Sequence, residues 1–121
     1  MIVAGFGHRA GAEASSLSAA LALAQAGGRP VTALAAPADK TALLAPLARA
    51  LALPLIAVTP EALRSADTAT RSAFSLIARG IGSVAEAAAL AAAGPRALLI
   101  TRRHISPDRM ATCAIAEGSF A

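Results

Sequence analysis

The chain has 121 residues, enough for one domain with a real core, and its single cysteine, Cys113, excludes an internal disulfide or a Cys-rich metal site. Eleven basic against seven acidic residues give a net charge of +4, but the arginines are scattered, Lys40 is the only lysine, and no cluster of aromatic stacking residues surrounds them, so a small polyanion suits this charge better than nucleic acid. Hydrophobic content of 56% without Trp or Tyr requires a core of Leu, Ile, Val and Ala under closely packed helices, and the scarcity of charge leads us to expect a homo-oligomer.

The chain opens with an apolar strand over about residues 1–6. Gly5-Phe6-Gly7-His8-Arg9-Ala10-Gly11 follows as a glycine-rich turn, and then a helix over about 12–26, ended by Gly27-Gly28 and Pro30. Glycines let another group approach the peptide closely, and a helix N-terminus offers unpaired N–H donors and partial positive charge. With Arg9 added, the turn reads as an anion site for a phosphate or a carboxylate; the alternative is a plain tight turn without ligand. The spacing GxGxRxG misses the dinucleotide fingerprint GxGxxG by one residue, and no acid stands about twenty positions on, which argues against a Rossmann site.

His8 and His104 have no ligand-spaced partners and read as turn residues. Leu17 to Ala26 mimics a signal peptide, but the preceding strand and Glu13 argue against export. No unbroken apolar run reaches about eighteen residues, so no membrane span is expected and a cytoplasmic location is.

Strand two is expected over 31–36, with Ala38-Asp39-Lys40-Thr41 at its C-terminal end, where open α/β sheets carry ligands; alternatively Asp39 caps a helix and Lys40 is solvated. The next helix spans about 41–52, where Pro46 either kinks it or moves its start to Ala45. Strand three is 53–58, and Thr59-Pro60-Glu61 opens a short helix to Ser65. Asp67 to Ser72 reads as a loop and Ala73 to Arg79 as a helical turn or two stopped by Gly80 and Gly82.

Ser83-Val84-Ala85-Glu86 is a capping box opening an alanine–leucine helix to Ala93, so Glu86 reads first as a partner of that helix start. Strand four is 97–101 and strand five 110–116. Arg102-Arg103-His104 and Pro107-Asp108-Arg109 between them form a basic turn, either a solvated tip or part of an anion site, and the short link favours an antiparallel hairpin.

With these motifs in view, the chain resembles the CobE family, which is similar to the C-terminal domain of CbiG. The likeness rests on Gly5-x-Gly7-x-Arg9-x-Gly11, on Ser83-Val84-Ala85-Glu86-Ala87-Ala88-Ala89-Leu90, on Asp39-Lys40 after strand two, on Leu53-Pro54-Leu55, and on Thr112-Cys113-Ala114-Ile115-Ala116. Arg102 or Arg103 stands roughly where relatives have a lysine, and Thr41 near where many have an acid.

The resemblance implies a single α/β domain over 1–121: a three-layer α/β/α sandwich of about five strands, mostly parallel, with an antiparallel C-terminal hairpin. It also implies a role in cobalamin (vitamin B12) biosynthesis. CbiG as a whole opens a lactone on a cobalt-precorrin and releases a two-carbon fragment, but this chain has no counterpart of the CbiG N-terminal region. The expected ligand is a carboxylate-rich corrinoid or precorrin intermediate, held by Gly5, Gly7, Arg9, Gly11, Asp39, Lys40, Ser83, Glu86, Arg102 and Thr112. An accessory or carrier role is the first expectation. The alternatives are an enzyme acting on the lactone or acyl fragment, with Glu86, Asp39 or His8 as general acid or base, and a docking partner of other cobalamin-pathway enzymes. No Ser/His/Asp series, metal cluster or cobalt ligand set is visible, and no cofactor is expected.

Overall fold

β1 (Ile2–His8) is a buried strand whose alternation sets up both halves of the core. Ile2, Ala4 and Phe6 enter one apolar cluster and Val3 enters the other. The computed structural model describes residues 1–66 and 83–118. The expected loop at Asp67–Ser72 and helical turns at Ala73–Arg79, with Gly80 and Gly82, lie outside the described residues.

β1 pairs in parallel with β2 (Ala33–Pro37), Val3 against Ala33, and β2 in parallel with β3 (Leu55–Val58). On its other side β1 pairs antiparallel with β5 (Ala111–Glu117), which pairs antiparallel with β4 (Leu98–Ile105). The order is β3-β2-β1-β5-β4, a mixed five-stranded sheet. β4 runs four residues past the end expected from the sequence, so Arg102, Arg103 and His104 lie in the strand. An edge strand accepts this run because its side chains alternate between exposed and half-buried.

α1 (Ala14–Gln25) and α2 (Ala45–Leu51) cover one face, packing Leu17, Leu21, Leu44 and Ala48 onto Phe6, Leu34 and Cys113. α3 (Pro60–Ser65) and α4 (Val84–Ala93) cover the other, with Leu63, Ala87 and Ala88 on Val3, Ala35 and Val58. The molecule is therefore an α/β/α sandwich with an antiparallel C-terminal hairpin. Pro46 stands in the first turn of α2, where its missing N–H costs nothing, and so sets the helix start at Ala45. Thr59 and Ser83 cap α3 and α4 by accepting from the N–H groups of Ala62 at 3.2 Å and Glu86 at 3.3 Å. No described helix is long and apolar enough to cross a membrane.

These directions converge on one edge of the sheet. β1, β2 and β3 are parallel and end there; β5 begins there, with Ala111 opposite His8; β4 ends there, with Ile105 opposite Thr112. α4 begins at the same edge, since Val84 lies over Gly7 and Ala89 over Gly5.

Candidate functional site

Gly5 and Gly7 stand inside β1 rather than in the turn after it. The reason is α4. A Cβ on Gly5 would run into the carbonyl oxygen of Ala85 and the backbone nitrogen of Ala89. One on Gly7 would lie 2.9 Å from Thr112 Oγ1 and 3.3 Å from Val84 Cβ. An alanine helix can lie this near a strand only where the strand has no side chain. Gly11 is the glycine that makes the turn, with φ at +90°.

On the α4 side, Thr112 Oγ1 donates to the Gly7 carbonyl at 3.4 Å. Ser83 and Glu86 are buried, and Glu86 Oε2 accepts from the backbone N–H of Arg103 at 3.0 Å. The glutamate thus reaches from the first turn of α4 across to β4. Arg103 is half-buried, and Arg102 beside it is exposed.

On the α1 side, the 3-10 turn Ala38–Lys40 follows β2 and carries exposed Asp39 and half-buried Lys40. His8 Nε2 donates to the Lys40 carbonyl at 3.1 Å; a carbonyl only accepts, so Nε2 bears the hydrogen. Nδ1 is buried and has no hydrogen-bond partner among the described residues. Arg9 continues the β1–β5 pairing one step, its N–H donating to the Met110 carbonyl at 2.9 Å, and its side chain is exposed.

The edge therefore gathers Gly7, Ser83, Glu86 and Thr112 on one side of the sheet, and His8, Asp39 and Lys40 on the other. Arg9 and Gly11 lie in the loop after β1, Gly5 lies deeper in the strand, and Arg102 lies on β4 toward the same edge.

Asp108 is the residue that sequence reasoning missed. Its Oδ1 accepts from Ser106 Oγ at 2.6 Å and from the Met110 N–H at 3.1 Å, and its Oδ2 accepts from Ser16 Oγ at 2.6 Å. These bonds, Ser106 first, then Ser16 and Met110, hold its carboxyl below the usual carboxylate range. Ser16 Oγ in turn accepts from the Glu13 N–H at 3.3 Å. A carboxylate of the chain itself thus faces the first turn of α1, where the sequence invited an external anion. The local half was legible, since Asp-x-Met110 is an Asx turn; the link to Ser16, 92 positions away, was not.

The edge can present cations, hydroxyls and backbone groups to a carboxylate-bearing ligand. Among the described residues no group of three His, Cys, Asp or Glu side chains is placed to hold a metal ion. Cys113 is buried in the α1-side core, and burial pushes its thiol up, away from thiolate chemistry.

A family model described as cobalamin synthesis G C-terminus matches residues 2–116. The crystal structure of CobE, a protein from the cobalamin (vitamin B12) biosynthetic pathway, is similar with a TM-score of 0.84 and 33% identity, over 96% of this chain and 89% of that one. Cobalamin biosynthesis protein chiG from Agrobacterium tumefaciens str. C58 is similar with a TM-score of 0.74 and 35% identity, over 99% and 100% of the two chains. A chain described as a cobalamin biosynthesis protein G homolog from Sulfolobus solfataricus shares the fold, with a TM-score of 0.72 at 14% identity, over 98% of this chain and 37% of that one. No curated protein matches. From the motifs at residues 5–11 and 83–90, the five-stranded order and these likenesses together, the chain belongs to the cobalamin synthesis G C-terminus family, whose members serve cobalamin biosynthesis.

Proposed function

We propose that the chain binds a carboxylate-rich corrinoid intermediate, as an accessory or carrier protein of cobalamin biosynthesis. The observation that carries this reading is the gathering of segments 7–11, 39–40, 83–86, 102–103 and 112 along one sheet edge. A corrin precursor is a flat apolar ring rimmed with carboxylates. Arg9 and Lys40 leave the ends of adjacent strands, and arginine's planar fork binds both oxygens of a carboxylate. Against Glu86 as the general acid of a hydrolytic reading stand its full burial and its bond to the backbone of β4. A general acid must reach the reacting group.

The test is an absorbance titration of the purified chain with a corrin bearing free rim carboxylates and with its fully amidated counterpart. Saturable binding of the first only, weakened about tenfold or more in Arg9→Ala, is the expected result. Equal affinity for both corrins, or no spectral change with either, overturns the proposal. A mass change in the recovered ligand would replace the carrier reading with an enzymatic one.

A further inference from the structure

His8 has one polar task in this structure. Its Nε2–H donates to the Lys40 carbonyl across 32 positions of sequence, while its Nδ1 is buried and meets no partner among the described residues. Among the described residues, the ring's one hydrogen bond is to the turn that carries Lys40. That turn is short, Ala38–Lys40, and is followed by Thr41, whose hydroxyl donates to the Ala38 carbonyl over 3.5 Å. The turn leaves a buried strand end at Pro37 and has no buried side chain of its own. A short segment with no buried side chain takes its orientation from the bonds it makes, and the one from His8 reaches it from the neighbouring strand end.

We propose that His8 is a positioning residue for the basic rim. Its Nε2–H fixes the Lys40 carbonyl, and through it the direction in which the Lys40 side chain leaves the turn after β2. The inference rests on the reading of that rim as the seat of a corrin carboxylate, and it assigns to a strand-end histidine the job of holding a neighbouring strand's cation in place.

The geometry supplies its own controls. A glutamine at position 8 carries its amide nitrogen about where Nε2 stands, so His8→Gln keeps the donor to Lys40; His8→Ala removes it. With the free-carboxylate corrin as ligand, His8→Ala and Lys40→Ala are each expected to weaken binding about tenfold, and His8→Gln to stay within about threefold of the unaltered chain. The double variant His8→Ala/Lys40→Ala is expected to bind no more weakly than Lys40→Ala, because the histidine acts through the lysine. Additive losses in the double variant, or a His8→Gln protein as weak as His8→Ala, overturn the inference, with far-UV circular dichroism used to confirm that each protein is folded.

A ligand-free measurement separates this inference from the reading it rests on. Long-range proton–nitrogen NMR of the unaltered chain is expected to show His8 protonated at Nε2 and bare at Nδ1. His8→Ala is expected to speed amide exchange in residues 38–42. The opposite tautomer, or unchanged exchange there, overturns the positioning role even if the corrin binds. If both ligand-free results appear and no corrin binds, the ligand reading fails, and with it the link from His8 to a carboxylate.

Discussion

Arg103 donates its backbone N–H to Glu86 Oε2 at 3.0 Å, joining the first turn of α4 to the edge strand β4 through a fully buried carboxyl group. A buried donor that loses its acceptor costs about 1–3 kcal/mol. Glu86→Gln keeps an oxygen acceptor in the same place, whereas Glu86→Ala leaves both a cavity and an unmade bond. Urea unfolding is expected to show Glu86→Ala below the unaltered chain by at least that amount, and Glu86→Gln between the two. Equal stability of the two variants would show that the bond contributes nothing.

The two glycines of β1 differ in what they would strike. An added Cβ at Gly5 meets the backbone of α4, which moves only with the whole helix; one at Gly7 meets the Thr112 hydroxyl and the Val84 side chain. Overpacking of this kind costs about 1–3 kcal/mol. Gly5→Ala is expected at or above the top of that span and Gly7→Ala toward the bottom. Thermal unfolding of the two variants side by side checks the order, and a Gly5→Ala protein as stable as the unaltered chain would refute the close approach of α4.

Asp108 gives a pH signature. Its folded-state carboxyl is held below the unfolded value by the bonds from Ser106, Ser16 and Met110. The stability it contributes is therefore present above the ordinary aspartate value and is lost as pH falls through the lower folded value. The deficit of Asp108→Asn relative to the unaltered chain is expected to be constant near neutrality and to shrink as the pH falls below the ordinary aspartate value of about 4. A deficit that does not change over that fall would mean that the carboxylate charge is irrelevant to the hairpin.

What could be read in the sequence was what depends on near neighbours. Ser83 and Thr59 announce themselves as caps because an N-cap bond spans three residues, and Pro46 fixes the start of α2 because a proline tolerates only the first turn. The antiparallel hairpin followed from its short link. Gly5 and Gly7 were misplaced in a turn because a glycine looks the same whether it serves a positive φ or the approach of another backbone. Of Gly5, Gly7 and Gly11, it is Gly11 that has the positive φ. The reach of Glu86 to β4 was likewise hidden, since its capping box is a local pattern and Arg103 enters only when the sheet is assembled.

The irregular end of β4 bears on how copies of this protein meet. In the described sheet β4 is an outer strand, and it carries Leu98 at 72% and Ile100 at 47% exposure, a surface that invites strand addition. Two things resist it. The β4–β5 register shifts between Leu99 and Thr101 and again before His104, and Arg102 adds an exposed charge. A second strand laid along this edge would meet a bulged backbone and a positive charge where the arginines begin, which opposes edge-to-edge pairing of copies.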